Sequence, residues 1–305
     1  MNQGGTNPSI TAKAYIDNVL GSSAPDAKAA RRGSLVARLV WWIVFLLGVV
    51  YFLGPLFMTL LFSLRSKPLP TAPTDWFNQN LSAYANLLAD PQFGKTLVYS
   101  FVIGIITVVV SIALIVPTAF WVRLRLPQLR RLVEFITLLP FVIPPIVLVF
   151  GLIRGFKGPP LPLTNSDLGS NVLLVAGYTV LSLPYMYRAV DVGLRSIDVR
   201  SLTEASQSLG AGWFLTLWRV ILPNLRVSLL SGAFLTLAIV IGEYTIATFL
   251  ARPAFGPYLA LIGQNKAYEP AAASLISFGL TWIAMGVIAL LGRGSRVRVQ
   301  VAGAH

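Results

Sequence analysis

The amino-acid sequence predicts an all-α membrane protein with six transmembrane helices and both termini in the cytosol. Composition, the length of the apolar runs and the distribution of basic residues lead to this prediction. Of the 305 residues, 55% are hydrophobic and 11% are charged, and the mean hydropathy is +0.73. Average soluble proteins carry about 25% charged residues. Much of the surface of this chain must therefore face lipid rather than water.

Six apolar runs are long enough to cross a bilayer. A transmembrane helix needs about 20 apolar residues, because each residue advances the helix by only ~1.5 Å. Backbone polar groups in lipid must be bonded within the chain, so we expect these runs to be helices. The predicted spans are residues 39–64, 96–122, 132–153, 168–187, 227–251 and 270–291.

The basic residues indicate which side of the membrane each connection lies on. Most of the 24 Lys and Arg residues fall in residues 1–38, 123–131, 188–226 and 292–305. Cytosolic connections carry an excess of Lys and Arg, so both termini are predicted to be cytosolic, with flexible tails at 1–38 and 292–305. This topology accounts for the net charge of +13. Nucleic acid is therefore not an expected partner, whereas membrane lipid is.

Enzymatic chemistry has little support in the sequence. The chain has no cysteine and its one histidine is His305, which excludes disulfides and Cys/His zinc sites. Residues 94–96 imitate the end of a phosphate-binding loop, but Ala89 replaces its first glycine and Pro91 interrupts it. An intramembrane enzyme would need a nucleophile–base or metal constellation, and a secondary transporter usually shows inverted repeats and more spans. We therefore expect a non-catalytic transport subunit without a metal or cofactor of its own.

The long cytosolic loop, residues 189–226, is predicted to hold two short amphipathic helices. Their apolar faces comprise Leu202, Ala205 and Leu209 in the first helix, and Trp213, Leu217 and Val220 in the second. Gly210 and Gly212 separate the helices, and Pro223 ends the second one. Two interpretations of the pair are open: a pair lying among the lipid headgroups, and a docking element for a cytosolic partner.

The same loop resembles a known motif. Glu204-Ala205-Ser206, Gly210 and Val220-Ile221-Leu222-Pro223 resemble the EAA loop of bacterial ABC importer permeases, E-A-A-x3-G-x9-I-x-L-P. Ser206 and Val220 are small departures from that pattern. Residues 80–90, 138–147 and 242–250 are similar to permeases that serve polyamines, with relatives for thiamine, ferric iron and aminoethylphosphonate. The resemblance is strongest to the second permease subunit of spermidine/putrescine systems.

The resemblance implies a type I ABC importer permease fold in the bacterial inner membrane, with five core helices and one leading helix. It also implies a second permease subunit, two ATP-binding subunits that hold ATP and Mg²⁺, and an extracytoplasmic substrate-binding protein. The residues that it assigns to ATPase coupling are Glu204, Ala205, Ser206, Gly210, Leu222 and Pro223.

Four further residues are candidates for the substrate path. A carboxylate inside an apolar span costs about 2.5–3.5 kcal/mol, so Glu243, placed in the outer half of a continuous span five, should face a cavity or a partner. A contact with a cationic substrate and a structural pair with another helix are both open, and Tyr244 adjoins it. Pro144 and Pro145, with Pro140, must kink span three or open its backbone, either as a passive bend or as a hinge lining the path.

Glu134 is predicted to need no functional role. It is placed in the first turn of span three, where a carboxylate offsets the helix dipole.

Overall fold

A computed structural model describes residues 27–65 and 80–292, and these residues are helical with short connections. The chain divides into two compact units, Met1–Thr59 and Leu60–His305. Helix α1, Ala27–Ser63, begins within the segment predicted to be a flexible tail and continues through the first predicted span. The rest of that tail, the Pro-rich connection at 66–79 and residues 293–305 of the C-terminal tail lie outside the described residues.

The second unit contains twelve further α-helices among its described residues. A π-helix, Leu217–Ile221, directly follows the helix Trp213–Thr216. The helices are α2 Ser82–Ala89, α3 Pro91–Leu124, α4 Arg130–Val142, α5 Pro145–Gly155, α6 Asp167–Arg195, α7 Val199–Ser208, α8 Trp213–Thr216, α9 Leu222–Asn224, α10 Arg226–Gly242, α11 Thr245–Phe249, α12 Phe255–Asn265 and α13 Glu269–Gly292.

Length and composition allow four to six membrane spans in the described residues. Four single helices qualify: Arg38–Ser63, Pro91–Leu124, Asp167–Arg195 and Glu269–Val287. Two bent pairs also qualify, Pro127–Val142 with Pro145–Gly155 at 102° and Trp213–Asn224 with Arg226–Gly242 at 79°. The predicted segments are thus largely helical; the first pair bends within predicted span three, and the second bends at Leu225, just before predicted span five.

Helices α3, α6 and α10 form the centre of the second unit. Ser111 in α3 and Ser182 in α6 share a buried hydrogen bond of 3.0 Å between their hydroxyls. Helices α6 and α10 approach closely at Gly232, where an added Cβ would lie 2.8 Å from the sulfur of Met186. Small residues permit such close helix packing. In a membrane, van der Waals contacts of this kind drive helix association, because lipid removes the hydrophobic effect that drives it in water.

Two segments differ from the predicted connections. Helix α6 continues to Arg195, so the first residues of the predicted loop 189–226 extend span four and the loop proper begins at Ser196. The connection between predicted spans five and six contains the helix Phe255–Asn265, which the sequence did not predict. Tyr258 of this helix donates a hydrogen bond of 2.8 Å to Asp90, the N-cap of α3, which fastens α12 to the start of span two.

Spans three and five are both broken within their predicted limits. Ile143 adopts an extended conformation (φ −88°, ψ 114°) before Pro144, as expected for a residue that precedes proline. Pro140 remains inside α4, so the pair Pro144–Pro145 makes the break. In span five, α10 ends at Gly242 and Glu243 is extended (φ −76°, ψ 127°). The prediction that Glu243 lies in a continuous helix is therefore wrong.

Candidate functional site

The first candidate site is the segment 196–225, here called the coupling element. Its helix α7 begins at a cap formed by Asp198, which accepts hydrogen bonds from the backbone N–H (3.1 Å) and hydroxyl (2.7 Å) of Ser201. These bonds hold the pKa of Asp198 below its usual range. The helix ends at Ser208, and Gly210 just beyond it has a φ of +83°, which favours glycine. The N–H of Ala211 bonds back to the carbonyl of Ser206 at 3.1 Å. The predicted break between the two helices is present.

Ser206 joins the two helices of the coupling element. Its hydroxyl lies 3.0 Å from the hydroxyl of Thr216, and both side chains are buried. Thr216 donates to the carbonyl of Gly212 at 3.1 Å, so Ser206 is the donor in the pair. The serine that departs from the E-A-A pattern thus makes a contact that alanine could not. The sequence pattern alone indicates only a small change in size at this position.

The second half of the coupling element is anchored by Trp213. Its ring lies 5.1 Å from the ring of Trp121 and 6.4 Å from that of Phe120, both near the end of α3. The guanidinium of Arg125 lies 4.9 Å from the centre of the Trp213 ring. Trp213 therefore packs as predicted for the apolar face of the second helix and ties that helix to the end of span two.

The six predicted coupling residues are divided between surface and interior. Glu204, Ala205 and Gly210 are exposed, Leu222 and Pro223 are half-buried, and Ser206 is buried. Leu222 packs against the buried cluster that contains Ile221, which is fully buried. The sequence motif therefore combines residues that present a surface with residues that position it.

The coupling element presents an apolar surface outward. Leu209 is 90% exposed and Phe214 is 75% exposed, and the ring of Phe214 lies 5.9 Å from that of Trp218. The face predicted from Leu202, Ala205 and Leu209 is not the buried one, because the buried positions of α7 are Val199, Thr203 and Ser206. Exposed clusters of large apolar side chains mark sites that contact a protein or a membrane.

Glu204 lies beside this surface in an ion pair. Its Oε1 accepts from the Nε of Arg200 at 2.8 Å, and both side chains are largely exposed. An exposed pair of this kind contributes little stability, at most about 1 kcal/mol. The carboxylate is therefore free to exchange Arg200 for a basic group of a partner.

The second candidate site is the break in span five. Oε1 of Glu243 accepts from the N–H groups of Thr245 (2.8 Å) and Ile246 (3.1 Å). Its Oε2 accepts from Ile246 (2.9 Å) and Ala247 (3.4 Å). The carboxylate therefore satisfies the first N–H groups of α11, which have no partner within that helix. Its principal contacts are with the backbone, which sequence reasoning did not foresee.

Two residues that the sequence did not single out shape this break. Gly256 packs on it so closely that a Cβ would collide with the carbonyl oxygen of Glu243 and lie 3.1 Å from the Cα of Tyr244. Among the described residues, the buried hydroxyl of Tyr178 in α6 has no hydrogen-bond partner, and its side chain packs in the cluster that contains Ile246 of α11. No sequence motif marks either residue, because both roles arise from tertiary contacts.

The half-helices that follow the two breaks pack against each other. The ring of Phe150 in α5 lies 4.9 Å from that of Phe249 in α11, and Val149 is fully buried in the same cluster as Ile246. Near the breaks, Glu243 is half-buried and Tyr244 is 49% exposed. The structure thus associates the segments that follow Pro144–Pro145 and Glu243, although these residues are distant in sequence.

Glu134 has a different role from the one predicted. It lies beyond the first turn of α4, where it pairs with Arg130 at 2.9 Å and with Arg195 of α6 at 3.9 Å. Asp191 completes the cluster through Arg195 at 2.6 Å and Arg130 at 3.6 Å. Glu134 therefore helps to hold α4 against α6 rather than offsetting the dipole of its own helix. In the described ranges, no group of His, Cys, Asp and Glu side chains could hold a metal ion.

Comparisons with known proteins identify the family to which the chain is similar. Residues 111–296 match the family described as "Binding-protein-dependent transport system inner membrane component". The chain is 28% identical over 239 residues to the sulfate transport system permease protein CysW of Synechococcus elongatus, covering 72% of this chain and 83% of that protein. It is 28% identical over 210 residues to the spermidine/putrescine transport system permease protein PotC homolog of Mycoplasma pneumoniae, covering 69% and 71%.

A solved structure has the same fold. It is a bacterial ABC transporter involved in the import of the acidic polysaccharide alginate, and the match has a TM-score of 0.59 at 19% identity. The match covers 87% of this chain and 98% of that one. At this identity the likeness concerns the fold alone.

Proposed function

Because the chain belongs to the family of binding-protein-dependent transport system inner membrane components, we propose that it forms one transmembrane half of an ATP-driven importer. The chain is a non-catalytic permease subunit, and separate ATPase subunits hydrolyse ATP. Its family also implies a substrate-binding protein. The proposed assembly adds a second permease subunit and two ATP-binding subunits, in the bacterial inner membrane, where this chain has six spans and two cytosolic termini.

Single cysteines test this topology cleanly, because the natural chain contains none. A cysteine at Ser208, in the exposed face of the coupling element, should react with a membrane-impermeant maleimide only from the cytosol. A cysteine at Asn165, in the connection before α6, should react only from outside. Reaction of both positions from the same side would contradict the proposed arrangement.

The coupling element is the proposed docking site for an ATPase subunit. The observation that carries this proposal is its outward apolar surface of Leu209, Phe214 and Trp218, next to the exposed Glu204. Large apolar side chains that cluster on a surface usually contact another molecule, so we expect a partner surface to cover these three residues. The resemblance to the EAA loop assigns the same role to the same segment.

Two glycines provide a matched test of docking. Gly210→Pro is incompatible with a φ of +83°, so the end of α7 must rearrange. Gly212→Ala is the control, because Gly212 has φ −72° and no atom of the described residues lies within 4 Å of an added Cβ. We expect Gly210→Pro to insert normally but to retain little ATPase subunit on purification, whereas Gly212→Ala behaves as wild type. Normal ATPase retention and transport by Gly210→Pro would contradict the docking proposal.

The proposed substrate path passes the two helix breaks. Backbone that leaves the helical conformation within a membrane is tolerated where it is buried in protein or lines a water-filled cavity. In transporters, such discontinuous helices commonly form the substrate site. Pro144 and Pro145 open the backbone of span three, and Glu243 and Tyr244 do so in span five. Tyr244, half-exposed beside the break, is the proposed side chain in contact with substrate.

A polyamine such as spermidine or putrescine is the proposed substrate. Similarity of residues 80–90, 138–147 and 242–250 to polyamine permeases supports it, as does a carboxylate at the break, which favours a cation. Two observations favour an anion instead. The sulfate permease relative is as similar to this chain as the spermidine/putrescine relative, at 28% identity each. The four backbone N–H contacts of Glu243 also leave its negative charge largely compensated. Sulfate is therefore the second candidate. Uptake of radiolabelled spermidine and sulfate by proteoliposomes holding the full assembly, with its binding protein, separates them.

Glu243→Gln tests the role of the break. Glutamine keeps one acceptor oxygen, so about half of the carboxylate contacts are lost, and charged hydrogen bonds contribute roughly 1.5–3 kcal/mol each. We expect the amount of assembled complex to fall moderately and spermidine uptake per complex to fall much further. Glu269→Gln is the control, since Glu269 accepts one exposed bond of 3.3 Å from Asn86. Reduced assembly with unchanged uptake per complex would assign Glu243 a purely structural role.

A further inference from the structure

A basic cavity lies between the end of span two and the coupling element. Its volume is about 640 Å³, and it separates the end of α3 from α7. The lining side chains that matter here are Arg123, Arg125, Asp198, Arg200, Glu204 and Trp213. A neighbouring cavity of about 440 Å³ shares Arg123 and adds Arg130, Arg195 and Asp191. Arginine thus outnumbers carboxylate in both cavities.

The carboxylates of these cavities already have partners. Asp198 caps α7, Glu204 pairs with Arg200, and Asp191 pairs with Arg195. Within residues 27–65 and 80–292, no carboxylate lies within 4.0 Å of the guanidinium of Arg123 or Arg125. The Cζ atom of Arg125 lies 4.9 Å from the centre of the Trp213 ring, a contact that uses the ring face and no carboxylate. Two guanidinium groups therefore remain available to an anion.

The surroundings of the arginines favour a lipid over a soluble anion. Leu126, Leu129 and Leu132, in and after the turn that joins α3 to α4, are exposed, as is Trp121 on the last turns of α3. Arginines interleaved with exposed leucines are typical of the boundary between headgroups and acyl chains. The turn lies between predicted spans 96–122 and 132–153, and therefore at a membrane surface.

We propose that this cavity binds the phosphate of an anionic phospholipid headgroup, through Arg123 and Arg125. The acyl chains lie along the exposed leucines of the turn. Basic pockets between transmembrane helices bind anionic headgroups in this way, and guanidinium groups bond phosphate through paired N–H groups. The lipid would bridge the end of span two to α7 and so stabilise the position of the coupling element. This site does not depend on the identity of the transported substrate or on which membrane face the turn occupies.

Competitive lipid retention tests the site in the assembled complex. Purified complex is equilibrated with an equimolar mixture of phosphatidylglycerol and phosphatidylcholine, and the retained lipids are counted by native mass spectrometry. Each basic residue near a charged lipid surface contributes a factor of about five to affinity. Arg123→Gln should thus lower the relative retention of phosphatidylglycerol about five-fold, and Arg123→Gln/Arg125→Gln about 25-fold.

Matched variants distinguish lipid binding at this cavity from a non-specific effect of positive charge on the protein. Arg154→Gln/Lys157→Gln removes the same charge from two exposed residues near the end of α5 and should leave phosphatidylglycerol retention unchanged. Arg123→Lys/Arg125→Lys keeps both positive charges and should retain most of the phosphatidylglycerol that the wild type retains. This variant also tests the site if the double Gln variant fails to assemble. Equal loss in the Arg154/Lys157 variant, or wild-type retention in the Arg123/Arg125 variant, would overturn the proposal. Displacement of the lipid by millimolar inorganic phosphate would also overturn it in favour of a free-anion site.

Discussion

The buried hydrogen bond between Ser206 and Thr216 leads to a prediction with unequal effects for its two partners. Thr216 uses its proton on the carbonyl of Gly212 and accepts the proton of Ser206. In Ser206→Ala, Thr216 keeps its donor bond, so the loss is that of one neutral hydrogen bond, about 1 kcal/mol. In Thr216→Val, the buried hydroxyl of Ser206 loses its acceptor, and an unsatisfied buried group costs about 1–3 kcal/mol.

The cost of Thr216→Val should lie in the middle of that range rather than at its upper end. The Ser206 hydroxyl can turn to the carbonyl of Leu202, four residues earlier in α7, as serine does within helices. The carbonyl of Gly212 also keeps the backbone N–H of Thr216, at 2.9 Å. We therefore expect a cost of about 2 kcal/mol, roughly a 30-fold change in the opening equilibrium of the segment. The double variant should be less destabilised than Thr216→Val alone, because it removes the stranded hydroxyl.

Hydrogen–deuterium exchange of the intact complex measures these effects locally. Protection of the amides of α7 should fall about five-fold in Ser206→Ala and about 30-fold in Thr216→Val, with partial recovery in the double variant. Amides of α3 within the membrane serve as the internal reference. Additive loss of protection in the double variant would show that the two hydroxyls do not act as a pair, and the inferred link between α7 and α8 would then be wrong.

Three further changes test other contacts. Gly256→Ala must displace the backbone of the span-five break and should abolish assembly, measured as the yield of complex. Gly263→Ala is the control and should assemble normally, because an added Cβ there lies 3.9 Å from its nearest neighbour, the Cγ of Pro270. The pKa of Asp90 is held below its usual range, chiefly by the backbone N–H of Gln92 and then by the hydroxyl of Tyr258. The ionised carboxylate therefore stabilises the folded protein fully above about pH 4, and this contribution is lost as the pH falls through the lowered pKa. Asp90→Asn should remove that pH dependence from the exchange of the first turn of α3. Trp213→Ala removes the half-buried aromatic anchor and should lower the stability of the coupling element by about 1.5–3 kcal/mol, seen as protease cleavage within it.

Features that depend on local chemistry could be predicted from the sequence. The apolar runs predicted helices, and Pro144 predicted the break in span three, because proline acts on its own and the preceding residue. Gly210 similarly predicted the end of α7, because a left-handed conformation favours glycine wherever it occurs. The limits of α6 were less accurate, since Val190 and Leu194 continue its apolar face beyond the predicted span and are buried against the coupling element.

Features that depend on tertiary partners could not be predicted. An isolated Glu243 in an apolar run indicates a buried charge, but its backbone acceptor role exists only once the helix is broken. The break in turn requires Gly256, which reaches it from α12, a helix absent from the prediction. Ser206 shows the same difficulty, because its partner Thr216 lies on a separate helix whose orientation depends on packing at Trp213.

Helix α10 connects the two candidate sites directly. It begins at Arg226, after the 79° bend that follows the coupling element, and ends at Gly242, beside Glu243. At ~1.5 Å per residue its length is roughly 25 Å, so it extends across most of the hydrocarbon layer. The half-helix beyond the break packs on α5 instead of continuing α10. Under the proposed function, a displacement of the coupling element by the ATPase would therefore move α10 as a rod and change the angle at Glu243, where the backbone is not helical. The carboxylate, bonded to the first turn of α11, limits how far that angle can change before its hydrogen bonds break.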